Sequence, residues 1–234
     1  MRLLAPLTVL ILADVSPAPN AAEIISPGEH HGHEVPANTP GVWFALVADG
    51  AGASLRRVRV SVATVKDEIV DEGAEMTGRR VDTSPAVEPI ALLRGIHGLK
   101  ARRVPTALLG QAVDDAGISA RLGVLAYQLF MRCAEQPPVE GQRQHNCDLV
   151  LRLDTVEQVL FTYRAYNEGD ARIWASERQP TVLWAGDVDA DGRLDVLLET
   201  SNHYNVSEMR LFLSRGASAS ALVQEGATHT TTGC

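Results

Sequence analysis

PTVLWAGDVDADGRLDVLLETSNHYNVSEMRLFLS, residues 180–214, decides the fold. It reads as three short apolar strands broken twice. The first enters a run of aspartates. The second leaves it, with Leu194, Val196 and Leu198 alternating along the chain. That is the period of a strand with a buried face. Met209 to Ser214 closes the series after a polar turn. Between the first two strands, Asp187, Asp189, Asp191 and Asp195 place four carboxylates within nine residues. Such charges repel one another unless a cation sits among them.

The same strand grammar runs through the rest of the chain. Gly41–Val47 is a short apolar run. In residues 55–65, Val58, Val60 and Val62 share one face while Arg57, Arg59 and Ser61 share the other. β-Branched residues dominate there and disfavour a helix. Residues 123–133 and 147–155 read as strands, with Leu149, Leu151 and Leu153 on one face. Pro105 makes residues 103–109 an edge strand or an irregular one. No long helical pattern interrupts the series. The expectation is a mainly-β chain with one β-sandwich or barrel-like domain, carrying a single metal-binding hairpin loop. One aspartate loop without internal repeats argues against a complete propeller. A second arrangement, two parts meeting near residues 110–122, is a minor alternative.

Composition narrows the function classes. Hydrophobic residues make up 45% of the 234, enough for a normal core. A formal net charge of -8 disfavours nucleic acid, whose phosphates need a basic face. Residues 1–22 combine Arg2, an apolar run from Leu3 to Ala13 and a stretch of small residues and prolines, the pattern of a secretory signal. Residues 23–40 are polar and Pro-rich and read as a flexible leader. The β domain is then expected over 41–215, with a flexible tail over 216–234. No segment of the mature chain is long and apolar enough to span a membrane as a helix. Export permits disulfides, and Cys133 and Cys147 flank a polar stretch, residues 134–146, that reads as a loop between two strand-like segments. A bridge there would contribute about 3 kcal/mol by loop closure. Cys234 is left over.

The aspartate loop carries the chemistry. From Asp187 the pattern is D-x-D-x-D-G-x-x-D, with Gly192 at the sixth position. Calcium takes six to eight oxygen ligands, and alternating aspartates on a tight turn can converge on one ion. Glycine permits the turn. The carbonyl of Arg193 would add an oxygen while its side chain faces water. Leu198 stands where a helix-flanked calcium loop needs a bidentate glutamate, so Asp195 is the late carboxylate. Magnesium fits less well because it keeps its waters and a strict octahedron, and a transition metal because no His or Cys lies in the loop.

This loop resembles the Asp-rich calcium loops of FG-GAP and VCBS-type repeats, found in integrin propellers and in exported bacterial proteins. The stretch also looks like a group of secreted bacterial proteins that carry one such loop. The resemblance covers about 30 residues. It implies Ca2+ at Asp187, Asp189, Asp191, Arg193 (carbonyl) and Asp195.

Other polar clusters are ambiguous. His203, Tyr204 and Asn205 form either a small ligand site or, as their composition favours, a hairpin turn. His30, His31 and His33 could capture a transition metal, but the expected mobility of the leader favours weak, adventitious capture. Asp67/Glu68 and Asp114/Asp115 read as surface turns. Trp43, Trp174 and Trp184 read as core anchors. No nucleophile–base motif is present. The expected function is an exported, secreted or periplasmic, non-catalytic binding or envelope-associated protein stabilised by calcium, with an unknown protein or glycan partner. The alternative is an extracytoplasmic glycan-acting hydrolase or lectin-like domain.

Overall fold

The computed structural model describes residues 21–233 apart from 51, 140 and 170. Nearly all of the expected signal sequence, and Cys234, lie outside the described residues. The chain begins with β1 (Glu23–Ile25), β2 (Gly28–His30) and a 3-10 turn over Gly32–Glu34. β3 (Gly41–Asp49), β4 (Gly52–Val65), β5 (Gly78–Ser84), β6 (Ala91–Arg94) and β7 (Arg102–Val104) complete a seven-stranded sheet. Its order is β1-β6-β3-β4-β5-β2, with β7 also paired to β4. β8 (Thr106–Ala112) starts a second sheet and the chain then leaves it. β9 (Ile118–Leu122), β10 (Leu125–Val139), β11 (Gln142–Leu153), β12 (Val156–Glu168) and β13 (Ala171–Trp174) form a five-stranded antiparallel meander. β14 (Thr181–Gly186), β15 (Asp195–Glu199), β16 (Val206–Leu213) and β17 (Gln224–Thr232) return to β8 in the order β17-β16-β15-β14-β8.

The β8–β17 sheet is the middle layer. One core joins it to the meander, through Val196, Leu198 and Phe212 against Leu129, Leu149 and Leu151. A second joins it to the amino-terminal sheet, through Trp184, Leu197 and Leu211 against Leu46, Leu55 and Leu93. β15 is therefore buried on both faces, and its sequence is apolar at successive positions. Three open, curled sheets in contact match the expected β-sandwich or barrel-like class and do not form a closed propeller. β8 and β14 flank the whole meander in sequence yet pair with each other, and Val113, just past β8, is fully buried in the shared core. Pro105 separates β7 from β8, and β8 lies at a sheet edge, as a proline-interrupted strand should.

β4 changes its buried face along its length. Ala53 and Leu55 face the middle sheet, whereas Val58 and Val60 join a third cluster on the other side with Trp43 and Val81. The switch leaves Arg56 and Arg57 both exposed. Cys133 and Cys147 are register partners on β10 and β11 and form a disulfide. The polar residues between them are mostly strand, not loop.

Two expectations at the ends of the β domain need correction. The stretch 23–40 is not a free leader: Ile24, Ile25 and Val35 are buried anchors, and β1 pairs with β6. The stretch from 216 onward holds β17, which pairs with β16 from Gln224 to Thr232. β-Branched threonines favour a strand there, and buried Leu222 and Val223 fix its entry. Both segments read as flexible because their apolar anchors are few and isolated among polar residues.

Candidate metal centre

The turn between β14 and β15 is where all three sheets meet. Gly192 sits at φ 81°, the left-handed backbone that glycine adopts without strain. From the amino-terminal sheet, Arg102 Nη2 donates to the carbonyls of Asp187 and Val188, both at 3.1 Å. The Asp187 amide donates to the Pro105 carbonyl at 2.9 Å. From the meander, the Tyr127 hydroxyl accepts from the Leu194 amide at 3.4 Å. Just past β16, Ser214 reaches two of the aspartates. These neighbours hold the backbone so that the carboxylates turn inward.

Asp187, Asp189 and Asp195 are buried, and one ligand oxygen from each lies within 4.8 Å of the other two. Asp195 is fully buried. Oδ1 accepts from the Ser214 amide at 2.8 Å and from Ser214 Oγ at 2.9 Å; Oδ2 accepts from the Val188 amide at 2.8 Å. Burial nevertheless pushes its carboxyl up to about 7, because these bonds do not replace the lost hydration. Asp189 is also raised, chiefly by burial, despite the guanidinium of Arg215 at 2.7 Å. The two oxygens of Asp187 accept from the Asp191 and Gly192 amides at 3.1 and 3.0 Å. Asp191 is half-buried and outside the tight triad. It accepts from the Arg193 amide at 2.8 Å and from Ser214 Oγ at 3.0 Å. Arg193 is exposed.

The structure thus gathers three of the four predicted aspartates and puts the fourth beside them. Such a buried triad could hold a metal ion. Its donors are hard oxygens, which suit an alkaline-earth cation better than a transition metal. Arg102, Tyr127, Ser214 and Arg215 complete the environment. They come from three separate parts of the chain, so spacing could not reveal Arg102 or Tyr127; only Ser214, the last residue of the motif, and Arg215, directly after it, were within reach.

The other sequence candidates fall elsewhere. His203, Tyr204 and Asn205 form the β15–β16 turn, closed by Val206 N to His203 O at 3.2 Å. They lie at the far end of β15 from the aspartates. The His30–His33 cluster is ordered. His30 is buried against His229, while His31 Nδ1 pairs with the carboxylate of Asp67. Asp67 is consequently buried and not the surface turn that its neighbour Glu68 forms. Asp114 does cap a turn, accepting from the Ala116 and Gly117 amides. Trp43 and Trp184 are core residues, and Trp174 is half-buried against the meander core.

No family model matches the chain, and comparison with curated proteins and with solved structures likewise gives no match.

Proposed function

We propose that the protein is an exported, non-catalytic, β-rich binding or envelope-associated protein whose fold is stabilised by one structural calcium ion. The buried carboxylate triad carries this reading. Asp187, Asp189 and Asp195 would supply the inner oxygens, with Asp191 and the Arg193 carbonyl as further ligands. Bound there, the ion supplies positive charge that lets Asp195 and Asp189 ionise inside the protein. A buried carboxylate is otherwise costly, and metal binding favours the deprotonated form. The loop is fixed by all three sheets, so the gain in charge balance would tie them together.

The Cys133–Cys147 disulfide fits an oxidising compartment and so supports export. Among the described residues no helix is long and apolar enough to cross a membrane. The glycan-acting alternative predicts exposed tryptophans or spare acids beside the loop. Trp43 and Trp184 are buried and the loop carboxylates are engaged by backbone amides, by Ser214 and by Arg215, which favours the structural role.

Thermal melts test the reading. EDTA should lower the Tm of the wild type and added calcium should restore it, while Asp187→Ala should melt identically in both buffers. A wild-type melt indifferent to calcium would overturn it.

A further inference from the structure

The residues that did not enter the metal centre converge on one groove at the other end of the molecule. It has a volume of about 590 Å³, the size of a small-molecule site. One wall is the 3-10 turn with His31 and His33. Another is the loop from Asp67 to Thr77 between β4 and β5. The third is the β15–β16 turn with Tyr204 and Asn205.

The base of this groove is rigid. His31 Nδ1 is bonded to Asp67, and the His31 amide donates to Glu34 Oε2 at 3.0 Å. Glu34 is itself pinned by the amide and hydroxyl of Thr232 at 2.6 and 2.7 Å. The opposing loop is closed by Asp71, which accepts from the Asp67 amide and twice from Thr77. The walls are apolar and open to solvent: Ile69, Val70 and Tyr204 are 56%, 57% and 60% exposed. Three large apolar side chains facing one concavity mark a binding surface more than chance exposure does.

The polar groups left over define the head group. Thr77, Thr232 and Asp67 are engaged within the protein. His31 Nε2, the Tyr204 hydroxyl and the Asn205 side-chain amide make no hydrogen bond to the described residues. With Nδ1 donating to the Asp67 carboxylate, Nε2 carries a proton only when the ring is protonated, the state that the Asp67 bond favours by raising the His31 pKa. All three groups can then donate. Asp67 and Asp71 are held below the usual carboxylate range, Asp67 chiefly by the His31 bond, so they stay ionised. His31 cancels one of these charges only. An anionic head would meet net negative charge, whereas a neutral acceptor would not.

We propose that this groove binds a small molecule with an apolar body and a neutral carbonyl head, the carbonyl oxygen accepting from His31 Nε2 and Asn205 and the body lying against Ile69, Val70 and Tyr204. It supplies the ligand site for the binding role proposed above. It does not depend on the metal.

Hexanamide and its charged counterpart hexanoate are the probes. Calorimetric titration at about pH 6, below the ordinary histidine value so that a ring with a raised pKa is protonated, followed by NMR of the histidine rings, reads binding and its location. Hexanamide should bind with a Kd of about 1 mM or tighter and shift the His31 ring signals, with hexanoate about ten-fold weaker. Val70 is exposed and Asn205 half-buried, and neither side chain takes part in the bonds that hold the base of the groove, so Val70→Ser and Asn205→Ala should each weaken hexanamide several-fold. Absence of binding at about 10 mM, equal binding of hexanoate, or binding indifferent to Val70→Ser and Asn205→Ala would overturn the proposal. So would ring shifts produced by zinc or an oligosaccharide but not by hexanamide. The titrations are run in calcium and in EDTA. A calcium-independent melt would remove the metal reading and leave the hexanamide result standing; a calcium-dependent melt without hexanamide binding would do the reverse.

Discussion

Ser214 follows Asp195 by nineteen residues and donates to the same carboxylate oxygen twice, from its amide and from its hydroxyl. The hydroxyl also lies 3.0 Å from Asp191 Oδ2. A hydroxyl carries one proton, so it serves one of the two aspartates at a time. The amide bond holds Asp195 regardless, and the side chain adjusts the pair. Ser214→Ala removes that adjustment and leaves a buried carboxylate short of a donor. The expected cost is about 1–2 kcal/mol in urea unfolding measured in EDTA. An unchanged midpoint would mean that the amide alone suffices.

Among the described residues Arg215 is the cation paired with a triad carboxylate, with Asp189 Oδ2 at 2.7 Å and its own side chain partly in solvent. Without a metal it is the main compensation for the Asp189 charge. With calcium bound, that compensation becomes partly redundant. Arg215→Met should therefore lower the Tm more in EDTA than in saturating calcium, and the ratio of the two shifts is the measurement. Equal shifts in both buffers would show that Arg215 and the ion do not act on the same carboxylates.

The strands were legible because alternation survives wherever one face is buried, as at Val58 and Val60 or Leu149 and Leu151. The aspartate triad was legible because its ligands are local. The layering was not. It depends on β8 pairing with β14 across the whole meander, a contact between residues 69 to 80 apart that no periodicity encodes. The terminal segments were misread for a related reason: Ile24, Ile25, Leu222 and Val223 are short apolar anchors, and only the sheets they join make them structural. The groove shows the same limit, since His31, Asp67 and Tyr204 meet only in the folded chain.

Two glycines around the loop separate backbone strain from steric conflict. Gly192, at φ 81°, has open space where a β-carbon would stand, so Gly192→Ala costs backbone strain alone, about 1 kcal/mol. Gly98 lies at φ 85°, and a β-carbon there would fall 2.2 Å from the Asp189 carbonyl oxygen. Gly98→Ala must add displacement of the loop backbone to the same strain. It should be the more damaging of the two in urea unfolding, and it alone should also weaken the calcium-dependent gain in Tm. Equal costs would show that the amino-terminal sheet does not press on the loop.

His229 on β17 gives the seam between the amino-terminal segment and the middle sheet a pH dependence. Its Nδ1 accepts from the Ser26 amide at 3.4 Å, and its Nε2 donates to the Glu34 carbonyl at 3.2 Å. A second proton would have to sit on Nδ1, facing an N–H. Burial first, and the neighbouring His30 next, hold its pKa below the ordinary 6.5. The unfolded chain thus takes up the proton before the folded one does. The stabilisation from neutral His229 is complete above about pH 6.5 and is lost as pH falls through the folded value. His31 has the opposite sign, since its pKa is raised by Asp67 and its contribution is lost as pH rises through that value. Comparing the Tm of wild type and His229→Gln across this range isolates the first effect, because His31 is common to both. The difference should favour the wild type most near neutral pH and shrink as the solution is acidified. A difference that stays constant with pH would show that His229 is not held neutral in the fold.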